Sequence, residues 1–292
     1  MIFSRGVVYM ALAVFLFSSM TALVKLIPDI PSPQIVFFRS FISLGFSWSV
    51  LRMQHVHPLG RHRGLLLGRG LAGAVALSLY YETLQHIPLA SATTLQFTAP
   101  IFTALIGIYF VRERILPLQW LFFLLAFSGV VLVERTDTRV DPQYALMGVA
   151  AVLFSALAHN FIRKLNTREH PLVIIFYFPL ITTPLSGIYC VYEGVMPQGW
   201  QWAILIGIGI LTQMAQYLMT KAIQIETLSR ISIIRYSGII YALLYGYLLF
   251  GERFDLYSYG GMLLALTGIL ANLWYKSHHE RRQAARQTQV EA

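Results

Sequence analysis

The chain alternates between long apolar runs and short polar connections. Ten runs contain about 20 mostly apolar residues each, the length that a helix needs to cross a bilayer. The predicted spans are approximately Gly6–Leu26, Pro33–Arg52, Leu65–Leu84, Leu89–Phe110, Leu116–Glu134, Tyr144–Arg163, Pro171–Tyr192, Trp200–Lys221, Leu228–Phe250 and Leu256–Tyr275. These spans take up nearly all of the 292 residues. The pattern predicts an all-α membrane protein with ten transmembrane helices and leaves no room for a soluble catalytic or receptor domain.

A stretch of the first half recurs in the second half without a gap. Leu89–Leu132 aligns with Leu228–Ala271, and the matched positions include Glu113-Arg114 on Glu252-Arg253, Gly107 on Gly246, Ala126 on Ala265 and Gly129 on Gly268. Five spans is an odd number, so the second half must lie upside down relative to the first. The chain is therefore predicted to form two inverted five-helix repeats, an arrangement that places a substrate site at the repeat interface. Their bounds are residues 1–139 and 140–277, followed by a basic, disordered tail at 278–292.

Composition supports the membrane assignment. Hydrophobic residues make up 57% of the chain and charged residues only 12%, half of the ~25% that a soluble domain carries. Basic residues cluster in alternate connections and in the tail, at Arg61, Arg63, Arg69, Arg112, Arg114, Arg163, Lys164, Arg168, Arg281 and Arg282. By the positive-inside rule, both termini are expected in the cytoplasm, with the chain a multi-pass protein of the inner membrane. The same distribution explains the net charge of +9 without nucleic acid as a partner.

The motifs of common enzyme classes are missing from the sequence. There is no Gly-x-Ser-x-Gly elbow, no His-Glu-x-x-His helix and no glycine-rich phosphate loop. The single cysteine, Cys190, excludes an internal disulfide and a cysteine-based metal cluster. No cofactor is therefore predicted. Because no ATP-binding motif is present either, transport through the bundle would be driven by a coupling proton, another ion or a solute gradient.

Two charged hairpins and two helix glycines resemble those of a known family. The hairpins are Val111-Arg112-Glu113-Arg114 and Phe250-Gly251-Glu252-Arg253, and each precedes a final helix that carries a glycine, Gly129 or Gly268. With ten spans in two halves, they resemble the EamA type of the drug/metabolite transporter superfamily. The resemblance implies alternating access and a central cavity lined by spans one, three, four, six, eight and nine. Pro100 in span four fits the family pattern, whereas its counterpart in span nine is Ile239.

The spans that the resemblance places at the cavity carry polar residues at helical spacing. Polar side chains are costly in hydrocarbon and usually face the bundle interior. Span three presents Ser78, Tyr81, Glu82 and Gln85, and its repeat mate, span eight, presents Tyr217, Thr220, Lys221 and Gln224. Span four presents Thr93, Gln96, Phe97 and Pro100, and its mate, span nine, presents Ser232, Arg235, Tyr236 and Ile239. Span one presents Ser18, Thr21 and Lys25, and its mate, span six, presents Ser155, His159 and Asn160. The predicted substrate-binding residues are Arg235, Tyr236, Gln96, Thr93, Tyr81, Glu82, Gln213, Gln216, Tyr217, Ser18 and Asn160.

Arg235 is the first candidate among these residues. It lies about two turns into span nine, where an arginine needs an anionic partner, and its guanidinium fork binds a carboxylate or a phosphate bidentately. The partner is either a substrate or a protein acid such as Glu82, and the side chain can instead snorkel to the cytoplasmic face. Glu82 is itself a candidate proton carrier or, with Lys221, a charge at one mouth of the cavity.

Several other polar residues have structural interpretations. Arg39 is expected to snorkel to the outer interface or to bond a backbone carbonyl, and Lys25 is expected to be an interfacial anchor. Gln213 and Gln216 either bind a ligand or bond neighbouring helices together. The hairpin acids Glu113 and Glu252 are each expected to brace their own turn against the neighbouring arginine.

The sequence therefore predicts a secondary transporter of a small amino-acid-like or other carboxylate-bearing metabolite, with export inferred from the family resemblance. An uptake permease or exchanger for a nucleotide-derived metabolite or vitamin is the alternative within the class, for which aromatic walls would matter more than Arg235. A non-transporting membrane scaffold or sensor is the alternative outside it, and that alternative predicts a closed, packed interior. The oligomeric state is left open.

Overall fold

The computed structural model describes residues 4–110, 115–136, 140–165, 168–225 and 234–291. Within these residues the chain forms eleven α-helices and no strand: α1 Arg5–Lys25, α2 Ser32–Met53, α3 Arg63–His86, α4 Leu89–Phe97, α5 Ala99–Phe110, α6 Pro117–Thr136, α7 Pro142–Leu165, α8 Pro171–Glu193, α9 Trp200–Ile225, α10 Gly238–Phe250 and α11 Leu256–Glu291. Eight segments, one of them formed by α4 and α5 together, are long and apolar enough to cross a membrane. The shorter apolar helices Pro117–Val133 and Gly238–Phe250 occupy the other two predicted spans.

Short polar side chains and prolines mark where the helices begin. The Ser4 hydroxyl accepts a hydrogen bond from the Val7 N–H at the start of α1, at 3.3 Å. The Asp141 carboxylate accepts one from the Gln143 N–H at the start of α7, at 2.8 Å. These oxygens bind backbone donors that have no partner inside the helix. Pro142 follows Asp141 directly, where a missing N–H costs nothing.

The helices of the two halves pack with a pseudo-twofold pattern. The first half contributes α1 to α6 and the second half α7 to α11. Two packed pairs join equivalent helices, α6 with α11 and α2 with α8. Each of the other main pairs has a counterpart in which the two halves exchange roles. The packing of α3 against α7 corresponds to that of α1 against α9, α3 against α8 corresponds to α2 against α9, and α5 against α7 corresponds to α1 against α10. The predicted fold class is confirmed: the chain is an all-α membrane protein of two inverted five-span repeats.

Glycines allow α6 and α11 to cross at backbone contact. A Cβ on Gly268 would lie 2.6 Å from the Ala126 nitrogen and 2.8 Å from the Phe122 carbonyl oxygen. A Cβ on Gly129 would lie 2.9 Å from the Ala265 Cα, with backbone atoms of α11 closer still. All three distances are shorter than real Cβ contacts. The two aligned Gly/Ala pairs therefore pack on each other across the pseudo-twofold axis.

The fourth and ninth spans are both interrupted at equivalent positions. Thr98 separates α4 from α5, and its hydroxyl donates to the Leu95 carbonyl at 2.6 Å. In the second half, Tyr236 and Ser237 form a turn before α10, and the Ser237 hydroxyl donates to the Ile234 carbonyl at 2.6 Å. Only the first interruption is followed by a proline. The break is therefore shared by both halves although the proline is not.

The two ends of the bundle are named here from helix α1, which begins at the Ser4 end and finishes at the Lys25 end. At the Lys25 end, the Gln34 side chain bonds both backbone groups of Val195, at 2.7 and 2.9 Å. At the Ser4 end, the Tyr177 hydroxyl donates to the Leu59 carbonyl at 2.7 Å. Both ends are thus held by bonds between the first and second halves.

The end of the chain differs from the prediction. Helix α11 continues through the predicted disordered tail as far as Glu291. The segment from 278 to 291 is rich in alanine, glutamine, arginine and glutamate, residues with high helix propensity. Once α11 has crossed the bundle, these residues extend an existing helix and need no new nucleus.

The α6–α11 crossing generates a prediction about stability. Gly129→Ala and Gly268→Ala should each lower the midpoint of thermal unfolding in detergent, because overpacking a tight contact costs about 1–3 kcal/mol. Gly260→Ala is the matched control in the same helix as Gly268, since a Cβ there meets nothing within 4 Å. A midpoint unchanged in all three variants would contradict the backbone contact.

Candidate functional site

A cavity of about 410 Å³ lies towards the Ser4 end, between the two halves. Its polar and charged lining comes from α4, α5, α6, α7, α11 and the segment before α10: Gln96, Thr103, Gln119, His159, Arg163, Arg235, Tyr236 and Asn272. We call this space the Arg235 cavity. Arg235 is exposed, whereas Tyr236 is only 6% exposed and packs edge-on against Phe97 with ring centroids 5.0 Å apart. Three of the predicted substrate-binding residues, Arg235, Tyr236 and Gln96, thus line one cavity.

The interrupted spans shape this cavity. Ala99 and Pro100, the first residues of α5, lie in its wall, and Tyr236 belongs to the turn that precedes α10. A helix begins with unpaired backbone N–H groups and a partial positive charge. Interrupted membrane helices commonly direct such ends at anionic groups of a substrate. The break at Thr98 therefore places the start of α5 in the wall of the cavity that Arg235 also lines.

A second cavity, of about 240 Å³, adjoins the first. The two share Gln96, His159 and Ile162 as lining residues. The remaining polar and charged lining of the second consists of Arg39, Arg69, Tyr80, Ser155 and Gln216. We call this space the Arg39 cavity. A molecule that contacts Gln96 and His159 can therefore reach into both spaces.

Arg39 is internal, contrary to the expectation that it snorkels to the outer interface. Its side chain is 7% exposed, and its Nε donates to the Thr212 hydroxyl at 3.2 Å rather than to a carbonyl. The guanidinium carbon lies 5.6 Å from the centre of the Tyr81 ring and 6.0 Å from that of Phe178. These aromatic faces and Thr212 hold Arg39 in the wall of the cavity.

Arg69 is a site residue that the sequence interpretation missed. It was counted among the charges that flank the second connection, but it lies about two turns inside α3 and lines the Arg39 cavity. Its guanidinium carbon is 4.8 Å from the centre of the Phe178 ring. Its place within an apolar span was the available signal, because an intramembrane cation is a site candidate by default.

The charge of the two cavities is one-sided. Among the described residues that line them are four arginines and one histidine, and none is an aspartate or a glutamate. His159 lies close enough to Arg69, Arg163 and Arg235 to interact electrostatically with their positive charges. In the described part of the chain, no ion pair is formed by Arg39, Arg69 or Arg235. The arrangement favours an anion in the combined space.

The opposite end of the bundle contains a paired charge. Lys25 Nζ lies 2.7 Å from a carboxylate oxygen of Glu252, with the two side chains 14% and 6% exposed. Both Glu252 oxygens also accept from the Leu89 N–H, at 3.0 Å, at the first turn of α4. Glu252 therefore joins the last connection to α1 and α4 of the other half. It does not brace its own turn against Arg253 as expected, because the buried lysine and the helix end supply better partners.

The remaining predicted site residues are divided between the cavities and the packing around them. Gln216 lines the Arg39 cavity, whereas the Thr93 hydroxyl donates to the Leu89 carbonyl of its own helix at 2.7 Å. Two residues are buried: the Tyr81 hydroxyl donates to the Met20 sulfur at 3.1 Å, and the Asn160 amide donates to the Thr103 carbonyl at 3.0 Å. The others lie apart from both cavity linings: Ser18, Glu82, Gln213 and Tyr217.

Glu82 lies at the Lys25 end rather than beside Arg235. Its carboxylate accepts from the Ser32 hydroxyl at 2.6 Å and lies 3.6 Å from the His86 ring. It is therefore not the protein acid that neutralises Arg235 in this conformation. Some predicted features lie outside the described residues or side chains, namely Glu113 with its hairpin, Ser232, Thr220 and Gln224.

Comparison with protein families gives one match that spans both halves. The model of the EamA-like transporter family matches residues 4–135 and 143–274. The two matched segments coincide with the two five-span repeats seen in the fold.

Individual proteins also resemble this chain over most of its length. It is 31% identical over 269 residues to the pseudopaline exporter CntI of Pseudomonas aeruginosa strain UCBPP-PA14. The aligned region covers 91% of this chain and 95% of that protein. It is 26% identical to human solute carrier family 35 member G1, over 93% of this chain and 80% of that protein. A solved crystal structure superimposes with a TM-score of 0.66 over 95% of this chain and 98% of its own, at 16% identity. That structure bears on the fold alone.

Proposed function

This chain belongs to the EamA-like transporter family, and on that premise we propose that it is a secondary transporter that exports a small carboxylate-bearing solute by alternating access. Its relatives are membrane transporters, and the chain is a multi-pass membrane protein of the same kind. The proposal adds three things to that: the chemical class of the solute, the way the protein exposes it, and the direction of transport.

The class of solute follows from one observation, the arginine-rich lining of the two cavities without an acidic side chain among the described residues. An isolated cation within the membrane is expensive and normally pairs with an anion. A carboxylate of the solute supplies that anion and accepts two parallel hydrogen bonds from a guanidinium. Arg235 is the proposed primary contact. Gln96 and Tyr236 lie in the same wall and supply a polar partner and an aromatic face.

Alternating access is supported by the difference between the two ends of the bundle. The Lys25–Glu252 pair joins the halves at one end, whereas the Arg235 cavity lies towards the other. In a pseudo-twofold structure the opposite arrangement has similar packing, so breaking this pair and closing the other end exchanges the exposed side. The positive-inside rule places the Ser4 end in the cytoplasm. The conformation described is then inward-facing, with both termini cytoplasmic.

The direction of transport rests on family relationship. The pseudopaline exporter, which is similar over most of the chain, moves its substrate outward. A cavity that loads from the cytoplasm in the inward-facing conformation is consistent with export. The proposed driving force is a gradient of protons or of another ion, since the sequence carries no ATP-binding motif.

Arg235 provides the test of the solute class. Arg235→Ala should reduce counterflow of carboxylate-bearing metabolites in proteoliposomes by about tenfold or more, because a charge-assisted bond in a partly dry site is worth roughly 1.5–3 kcal/mol. Arg235→Lys should recover part of the rate, since it keeps the charge and loses the bidentate fork. Arg253→Ala, at an exposed position of the far connection, is the control. Normal carboxylate counterflow in Arg235→Ala would overturn the proposed contact.

The Lys25–Glu252 pair provides the test of alternating access. The probe is Thr93→Cys in a Cys190→Ser background. Residue 93 lies one helical turn further into the bundle than Leu89, whose N–H donates to Glu252. Lys25→Met and Glu252→Gln should each raise its labelling by an impermeant maleimide added from the Lys25 side, because removing one partner leaves the other charge buried and unpaired.

Lys221→Met is the matched control for this labelling, since Lys221 is an exposed lysine towards the Ser4 end of α9. Labelling that is equally slow with and without the Lys25–Glu252 pair would show that the pair does not hold that end closed.

A further inference from the structure

Two arginines converge on one aromatic ring in the Arg39 cavity. The guanidinium carbons of Arg39 and Arg69 lie 6.0 and 4.8 Å from the centre of the Phe178 ring. The two residues come from different helices, α2 and α3, and the ring comes from α8 of the other half. Two cations in one apolar interior are costly without an anion. Their shared position beside Phe178 therefore needs a reason beyond contact with the ring.

Both guanidinium groups retain donors without an acceptor. Arg39 Nη1 and Arg69 Nε are fully buried and have no hydrogen-bond partner in the described part of the chain. Arg39 as a whole is 7% exposed, so water does not readily replace the missing acceptor. Buried donors of native proteins are nearly always paired. Both arginine residues also line the cavity of about 240 Å³, so an acceptor bound there would lie beside them.

The surroundings leave space for the guanidinium of Arg69. A Cβ on Gly73, one turn further along α3, would meet Arg69 Nη1 at 2.5 Å and the Phe178 ring at 2.8 Å. The lack of a side chain at Gly73 thus permits the arginine to lie across the ring. Tyr80 and Gln216 complete the polar wall of the same cavity. Together these groups form a pocket suited to a small planar anion.

The geometry points to a second anion subsite, formed by Arg39 and Arg69, and to a substrate that carries two acidic groups. One group binds Arg235 and the other binds the Arg39–Arg69 pair, with the connecting part of the solute passing Gln96 and His159, which line both cavities. This inference rests on the proposed function, since it extends the substrate contacts of the same transporter. It narrows the solute from a carboxylate-bearing metabolite to a polyacid.

The first experiment compares acids on the purified wild-type protein. Dissociation constants are measured at fixed pH and ionic strength for α,ω-dicarboxylates from succinate to suberate, each paired with the monocarboxylate of equal carbon number. Matching α,ω-alkylbisphosphonates distinguish carboxylate from phosphate chemistry. One chain length that reaches both subsites should bind about tenfold to 100-fold more tightly than its monoacid, because it gains a second charge-assisted contact.

The second experiment repeats the measurement on variants. Arg39→Gln and Arg69→Gln should each remove the advantage of the diacid, so that the dissociation constants of the diacid and its monoacid become similar. Arg63→Gln is the matched control, since Arg63 is an exposed arginine at the start of the same helix as Arg69 and lines neither cavity. Arg69→Lys, which keeps the charge, should retain part of the advantage. If a variant fails to fold, the comparison of diacids with monoacids on the wild-type protein still tests the second anion subsite.

The possible outcomes separate this inference from the proposed function. Diacids and monoacids that bind equally, with both weakened by Arg235→Ala, would overturn the second subsite and leave the proposed function standing. Absence of binding by every acid would overturn both. An optimum chain length found only among bisphosphonates and lost in Arg69→Gln would support the subsite and overturn the carboxylate class. A diacid advantage that survives both Arg39→Gln and Arg69→Gln would also overturn the subsite.

Discussion

Moving an arginine or lysine from water into an apolar helix bundle costs several kcal/mol unless an anion or a polar network accompanies it. The protein meets this constraint differently at its two ends. At the Lys25 end, Glu252 lies 2.7 Å from the lysine and is itself bound by the first N–H of α4. Around the two cavities, Arg39, Arg69 and Arg235 have no acidic partner in the described residues. The missing negative charge there is the physical basis for assigning the solute.

The inverted repeat is the structural basis of the proposed alternating access. Each main contact between the halves is either symmetric or has a mate, so exchanging the roles of the halves preserves most of the packing. The α6–α11 crossing, where Gly129 and Gly268 pack on backbone, is symmetric and can serve as a fixed axis. The interrupted spans at Thr98 and Ser237 meet the Arg235 cavity, where the proposed mechanism requires the halves to rearrange. A rigid crossing and two interrupted helices are compatible with rocking about a central site.

Much of this architecture could be predicted because it is local or repeated in the sequence. The ten spans follow from the length of the apolar runs, and the glycines of α6 and α11 align at one fixed offset. Arg235, Tyr236 and Gln96 could be proposed together because they occupy equivalent polar stripes of spans four and nine, and they line one cavity. The break at Ser237 was not predicted, since it lacks a proline and depends on a hydroxyl that bonds the preceding turn.

The features that could not be predicted depend on contacts between residues that are distant in the sequence. Lys25 and Glu252 are 227 positions apart, and no periodicity relates them. Arg39 and Arg69 were interpreted as interfacial because hydropathy does not reveal that Phe178 and Gly73 make room for them in the interior. Tyr81 shares the polar stripe of its helix but faces Met20 rather than a cavity. Burial depends on the neighbouring helices, which a single helix cannot specify.

The central claim is that a solute anion completes the charge balance of these cavities. The most direct measurement is an experimental structure of the protein with the carboxylate that most raises its thermal stability. The account predicts density for the acid within hydrogen-bond distance of the Arg235 guanidinium, between the two halves. A ligand bound elsewhere, with the Arg235 side chain turned out to the membrane surface, would contradict it.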